Sequence, residues 1–423
     1  MTSPTIPDFA AEAPALLPDL QTLRRALHAD PEVGNDIPRT RDRVLAALDG
    51  LPLTVHTGES LSSVVAVLEG GRPGPTVLLR GDMDALPLTE DTGLPYASTN
   101  GAMHACGHDL HTSGLVGAAR LLAAHREDLP GSVVFMFQPG EEGPGGARPM
   151  IEEGLLDVTG RKPVAAYGIH VAPGPRGTFA YRPGTTMAGF GDLAITVHGR
   201  GGHGSKPYAA VDPVAVLVEI AQALQTMVTR QFDVFDPVVL SIGRIEAGTA
   251  ANIIPETGSL QAAVRVLSGT NEVAFGEAAR RLAEGIAAAH GARAEVRWEI
   301  EYPVTVNDVD ESAFVDDRLT SLFGADRVDT MADPLMGSED FSFVLREVPG
   351  CFFFLAASPE DVDPETAAWN HSPQVLFDDS VLADQAAALA DLAWTRLARH
   401  AAESAAGSAG TDHPAADTEG AHA

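Results

Sequence analysis

Nine consecutive residues, Met103-His104-Ala105-Cys106-Gly107-His108-Asp109-Leu110-His111, hold one thiol, three imidazoles and a carboxylate around a glycine. Cys106 and His108, one residue apart, can reach a single ion where a loop turns into a helix. Thiolate beside imidazole suits zinc and its first-row neighbours, and does not suit calcium or magnesium. The string also reads as a plain helix start with Asp109 in the first turn, so the rest of the chain has to decide. Glu141 and Glu142 stand together in Gln138-Pro139-Gly140-Glu141-Glu142-Gly143. Adjacent side chains diverge, so one can hold a cation while the other faces water polarised by it, a division that suits metal-assisted hydrolysis. Two solvated loop glutamates would look the same. His170 closes an apolar run, His371 lies in Trp369-Asn370-His371-Ser372-Pro373, and Asp82 and Asp84 end a second apolar run.

These residues need elements to carry them. The runs SSVVAVLEG and TVLLRGDMDA read as strands, the second covered on both faces. Its last residues, Asp82 and Asp84, fall where open α/β sheets bind ligands, and alternation puts them on one side; turn-forming aspartates before Pro87 are the plain alternative. Residues 109–125 read as a helix, GSVVFMFQ as a strand running into the glutamate pair, and PVAAYGIH as a strand ending at His170. Upstream, residues 1–18 read as a loose arm, and Asp19 as the cap of a helical stretch from Leu20 to about Leu48 broken near Pro31 and Pro38. From about Ala188 the character changes. The order β-α-β-β-α-β over about 115 residues suggests a ferredoxin-like insert, its first helix opened by Asp212-Pro213. The α/β pattern resumes near Pro303 and closes with a helix from about Ser380 to His400. The fold expected is therefore α/β: a three-layer catalytic domain with a mixed, mostly parallel sheet, carried by residues 19–187 and 303–400, and an inserted α+β domain at 188–302. Residues 401–423 lack a core-forming pattern and are expected to be disordered.

The chain has 423 residues, 45% hydrophobic and 20% charged, which fits a globular protein of two or three domains and excludes a disordered one. A formal charge of −30 argues against nucleic acid or an anionic membrane as partner. No basic leader with an apolar core opens the chain, and no run of apolar residues is long enough to span a bilayer. Two cysteines in so long a chain, Cys106 and Cys351, argue against a disulfide framework. A cytoplasmic location is expected.

The strings DMDALP, HACGHD, QPGEEG, GIH, GGHGS, GSEDF and NHSP, in this order from about residue 19 to 400, resemble the amidohydrolase branch of the dinuclear aminoacylase/carboxypeptidase metallopeptidases. That branch includes indole-acetyl-amino-acid hydrolases, hippurate hydrolases and N-acyl-amino-acid deacylases. The resemblance implies two divalent ions per subunit (zinc, manganese, cobalt or nickel) and a homodimer joined through the inserted lid. It implies that Cys106 bridges the ions, that His108 and His170 complete one site, and that Glu142 and His371 complete the other. Glu141 would be the general base towards a metal-bridging water, and Asp84 would keep a ligand charged or oriented. Asp82 stands where other superfamily members have a ligand histidine and is left out of the ligand set. In the lid, His203 would reach across the dimer to the substrate carbonyl, and Asn252 and Arg265 would bind the substrate's free carboxylate. Ser338 and Glu339 would line the pocket, while His104 and His111 are expected to serve local packing and hydrogen bonding. The activity implied is hydrolysis of the amide bond in an N-acyl amino acid. A dipeptidase or carboxypeptidase on the same scaffold is the alternative, and a Cys106-nucleophile hydrolase or a non-catalytic metal binder are the readings from other classes.

Overall fold

A computed structural model describes residues 6–409, and the chain divides into two compact units. One contains the residues up to Phe179, with Phe314–Val328 and the chain from Phe353 onward; the other contains Ala180–Ala313 and Asp329–Phe352.

In the first unit, five neighbouring strands belong to one mixed sheet. They are β1 (Thr54–Thr57), β2 (Val64–Glu69), β3 (Arg72–Asp82), β4 (Pro130–Gln138) and β5 (Ala165–Ala172), in the spatial order β1-β2-β4-β3-β5. β3 is parallel to both β4 and β5, while β2 pairs antiparallel with β4. From Pro75 onward β3 is buried on both faces, which is why it reads as an unbroken apolar run. Asp82 pairs in register with Gln138, so the segments leaving β3 and β4 emerge at the same sheet end. That end receives Asp84, Glu141 and Glu142.

Helices α1 (Leu17–His28), α2 (Pro38–Leu48) and α3 (His108–Ala124) and a long C-terminal helix, Leu382–Ala409, complete the unit. α3 is buried along nearly its whole length. Two of its glycines allow close helix approach: a Cβ on Gly114 would lie 2.3 Å from the Gln385 side chain, and one on Gly117 2.7 Å from the Ala386 Cβ. Several sequence expectations are corrected here. The helical stretch expected from Leu20 to about Leu48 is broken as expected, into α1 and α2, with Pro38 opening the second, although α1 starts earlier, at Leu17. Asp19 lies within the first turn of α1, behind Pro18, and does not cap it. The supposed loose arm forms helical turns over Phe9–Glu12 and Ala13–Leu16, with Phe9 fully buried edge-to-face against Trp394. The last helix runs on to Ala409, and residues 410–423, the greater part of the expected disordered tail, lie outside the described residues.

The second unit is built on an antiparallel sheet of β6 (Gly189–His198), β7 (Val238–Ala247), β8 (Thr257–Val266) and β9 (Arg293–Tyr302), ordered β7-β8-β6-β9. Its helices are α4 (Pro213–Gln231) and α5 (Gly269–Ala289). Strict alternation of buried and half-buried residues along β6 marks a sheet with one covered face. Leu193, Ile195 and Val197 of that face join Val216, Ile220 and Phe275 of the helices in one core. Asp212 caps α4 by accepting from the Val214 N–H, with Pro213 at the first position; Ser268 caps α5 through the Asn271 N–H.

Candidate metal centre

Gly107 sets the geometry of the first motif. It precedes α3 with φ of +84°, a conformation that favours glycine, and a Cβ there would lie 2.2 Å from Val171 Cγ2. Cys106 and His108 are thereby turned inward on either side of it. Cys106 Sγ lies 3.4 Å from His170 Nε2, and the donor atoms of Cys106, His108 and His170 all fall within 4.8 Å of one another. The same limit groups Cys106 with Glu142 and His371, and His108 with Glu141 and Glu142. The sulfur therefore belongs to two donor sets at once, one of imidazoles and one of carboxylate and imidazole.

Hydrogen bonds fix the tautomers. His108 Nδ1 donates to the Asp84 carbonyl at 2.9 Å and His170 Nδ1 to the Val171 carbonyl at 2.8 Å, so each ring turns Nε2 towards the cluster. His108 Nε2 and Glu142 Oε1 are buried without a hydrogen-bond partner. Burial, and next the Glu142 charge, pushes the Cys106 thiol up to about 12. Burial opposes charge on His108, but Asp82 foremost, then Asp84 and Cys106, hold it well above the usual histidine range. Burial likewise disfavours the Glu142 carboxylate, and the contacts with His371 and His108 outweigh it, leaving the group below its ordinary value. A buried thiol, two inward-facing imidazole nitrogens and a carboxylate oxygen 3.2 Å from His371 Nε2 form a donor cluster that a cation would hold together, and binding one releases protons. The S, N and O donors suit two divalent first-row ions sharing the sulfur.

Asp84 holds the glutamate loop. Its Oδ1 accepts from the Glu141 N–H at 3.0 Å and its Oδ2 from the Glu142 N–H at 3.1 Å. One residue thus aims three others: its carbonyl orients His108 and its carboxylate orients the backbone of both glutamates. Asp82 does different work, although alternation suggested a shared side. β3 ends at Asp82, whose carboxylate meets Arg80 Nη1 at 2.6 Å and His111 Nδ1 at 2.6 Å. His111 Nε2 accepts from the Val171 N–H at 2.8 Å, so both nitrogens of that ring are committed. His104 is buried, and burial above all lowers its pKa to about 3, keeping it neutral.

The second unit holds the remaining sequence-predicted residues. His203 is exposed, its Nδ1 accepting from the Ser205 N–H at 3.1 Å; Ile253 pairs with it, so Asn252 lies beside it. Arg265 stands elsewhere: its Nη1 donates to Ser338 Oγ at 2.8 Å and its guanidinium sits 4.6 Å from the Phe190 ring centroid. Thr257 pairs with His198 at one end of the ladder and Arg265 with Phe190 near the other. At the rise of a strand, the eight steps from Thr257 to Arg265 span roughly 27 Å. Asn252 therefore keeps company with His203 and not with Arg265. Glu339 is buried and accepts from the Phe341 N–H at 2.9 Å.

Sequence reasoning missed several residues around the centre. Asp109 is fully buried between Arg24 Nε at 2.7 Å and His28 Nδ1 at 2.8 Å, and His28 Nε2 reaches Glu90 at 3.1 Å. Burial works against the Asp109 charge, yet Arg24 and then His28 hold it far below the usual carboxylate range. Asn370, beside His371, contacts Cys106. Nothing in the spacing of Arg24, His28 or Glu90 signals this network; only the HACGHD and NHSP strings hint at Asp109 and Asn370.

Residues 78–407 match the sequence pattern of peptidase family M20/M25/M40. Thermostable carboxypeptidase 2 of Saccharolobus solfataricus is 37% identical over 369 residues, covering 85% of this chain and 91% of that protein. N-acetylcysteine deacetylase of Bacillus subtilis is 35% identical, covering 88% and 96%, and hippurate hydrolase of Campylobacter jejuni 36%, covering 89% and 96%. Among solved structures, a putative aminohydrolase from methicillin-resistant Staphylococcus aureus superposes with a TM-score of 0.87 at 31% identity, covering 92% of this chain and 99% of that one. Bacillus subtilis YXEP, a dinuclear metal-binding peptidase of the M20 family, superposes with a TM-score of 0.77 at 32% identity, covering 91% and 99%.

Proposed function

Because the chain belongs to peptidase family M20/M25/M40, we propose that it is a dinuclear-metal amidohydrolase that cleaves the amide bond of N-acyl amino acids. The observation that carries this reading is the double membership of Cys106, whose sulfur shares one donor set with His108 and His170 and another with Glu142 and His371. Two divalent ions held there would act as Lewis acids on the scissile carbonyl and on the attacking water. Zinc, manganese, cobalt and nickel all suit these donors.

The chain's own residues supply the proton chemistry. Glu141 is nearly buried, its backbone is fixed by Asp84, and its carboxylate lies within 4.8 Å of the facing atoms of His108 and Glu142. From there it takes the proton of the attacking water and returns it to the departing amine, as a general base and then a general acid. Arg265 would bind the free carboxylate of the amino acid, a task suited to a guanidinium. His203 would stabilise negative charge on the carbonyl oxygen.

The same placement supports a homodimer. The roughly 27 Å along β8 from Thr257 to Arg265 exceeds a small N-acyl amino acid, which supports His203 and Asn252, past the Thr257 end, acting on substrate bound by a second copy. The edge strand β7 exposes Val239 and Ile245 and carries two charged residues, Arg244 and Glu246; it suits pairing between copies better than the opposite edge, β9, with Arg293, Glu295, Arg297, Glu299 and Glu301. On this reading residues 188–302, which lie in the second unit, are the lid and dimerisation domain, inserted between the two catalytic segments at 19–187 and 303–400. No helix among the described residues is long and apolar enough to cross a membrane, and both cysteines are free thiols, in keeping with a cytoplasmic enzyme.

A second reading, dipeptidase or carboxypeptidase, is favoured by the 37% identity to a thermostable carboxypeptidase. Metal-reconstituted protein assayed on N-acetyl, N-benzoyl and N-indole-acetyl amino acids and on dipeptides separates the two. Release of amine from the acyl compounds and slow turnover of dipeptides is the expected result. Glu141→Gln should lower kcat by about 10²–10⁴-fold while metal content stays at the wild-type level; retained turnover would remove Glu141 from its role.

A further inference from the structure

Asn370 has no part in the chemistry above, yet its carboxamide sits against the sulfur. Its Nδ2 lies 3.6 Å from Cys106 Sγ, 3.3 Å from the Cys106 carbonyl oxygen and 3.2 Å from the Val171 carbonyl oxygen. The orientation is fixed by its surroundings, because turning the amide over would set an oxygen against two carbonyl oxygens. Its two N–H groups serve three acceptors: one points to Val171, and the other is shared between the carbonyl and sulfur of Cys106. The Val171 carbonyl also accepts from His170 Nδ1. The next residue is His371, whose N–H donates to the Ala105 carbonyl at 3.0 Å and whose φ of +70° is the one positive value at a non-glycine position among the described residues. Such a conformation persists only where neighbours hold it. One side chain thus ties together the segments that carry Cys106, His170 and His371.

We propose that Asn370 is a positioning residue for the shared sulfur, donating an N–H···S hydrogen bond that fixes Cys106 between the two donor sets and draws electron density from its thiolate. This rests on Cys106 being a metal ligand.

The test uses cobalt-loaded full-length protein, reading the thiolate-to-cobalt charge-transfer band and the metal affinity by chelator competition. Asn370→Ala removes the donor; Asn370→Asp keeps the size but turns an acceptor towards the sulfur. We expect affinity to fall about 10-fold or more in Asn370→Ala, with the band moved to longer wavelength as the sulfur becomes more electron-rich. Asn370→Asp should be more affected in both. Unmoved bands and unchanged affinity in the two variants overturn the proposal, as does a loss of thermal stability without a band shift, which would mark a merely structural residue. Should Asn370→Ala fail to fold, Asn370→Asp still decides: a wild-type band position overturns the inference. A wild-type protein that binds cobalt without any thiolate band overturns the ligand reading of Cys106 itself, and the inference with it.

Discussion

Replacing Asp84 with Asn separates the holding of the glutamate loop from its chemistry. In the native protein both carboxylate oxygens of Asp84 accept backbone N–H groups, from Glu141 at 3.0 Å and Glu142 at 3.1 Å, in a buried setting. An amide keeps one acceptor and turns a donor towards the other N–H. One hydrogen bond to a charged acceptor, about 1.5–3 kcal/mol, is lost, and the N–H left behind is buried at a further cost of about 1–3 kcal/mol. The loop escapes part of this by moving, so we expect about 3 kcal/mol to fall on the placement of Glu141 and Glu142. At 1.36 kcal/mol per factor of ten, kcat/KM should drop about 10²-fold. The assay is steady-state hydrolysis of a good N-acyl amino acid, with metal content and thermal midpoint measured on the same preparation. Because Asp84 also orients His108 through its main-chain carbonyl, which the substitution keeps, the site shared by Cys106, His108 and His170 should still fill. A variant with wild-type kcat/KM would refute the idea that this clamp places the general base.

Three further outcomes are expected. Gly107→Ala sets a methyl 2.2 Å from Val171 Cγ2 at a φ of +84°, so it should destabilise the fold by about 1–3 kcal/mol and weaken metal binding, read by thermal denaturation and chelator competition. Asp109 has its folded pKa depressed, so its stabilisation is complete above the unfolded carboxyl value of about 4 and drains away as the pH falls below it. Asp109→Asn removes the charge nearest the buried Arg24 guanidinium and leaves it Tyr96 and the more distant Asp379; it should cost about 3 kcal/mol at neutral pH and flatten the acid limb of a stability–pH curve, and a limb as steep as the wild type's would contradict this. Mixing inactive Glu141→Gln and His203→Ala subunits should restore about a quarter of wild-type activity if a C2 dimer places His203 in its partner's site, since one of the two sites in each mixed dimer is then intact. No recovery would put His203 on its own subunit's substrate.

Much of this protein is legible along the chain because local physics writes it there. The doubly covered β3 reads as an apolar run, the half-covered β6 as an alternation, and α4 announces itself through Asp212-Pro213. Cys106, Glu142, His170 and His371 stand out because thiol, carboxylate and imidazole at loop and strand ends are chemically unusual company. What the chain alone could not disclose are contacts between distant segments. Asn370 meets the sulfur of a residue 264 positions away, and Arg24 meets Asp109 across the helix interface, with no periodicity to mark either. The docked Phe9 was invisible for the same reason, since an aromatic residue in a short proline-rich arm gains a partner only when the C-terminal helix brings Trp394 to it.

Which groups carry reactivity, and in which elements they lie, can be read along the chain because residue type and hydrophobic period are local properties. Tertiary structure decided their division of labour. It turned Asp82 to Arg80 and His111 and Asp84 to the glutamate loop, and it set Asn252 beside His203 at a distance from Arg265. The physical reason is that a side chain's role depends on which partners satisfy its buried polar atoms, and those partners come from packing and not from neighbours in the chain.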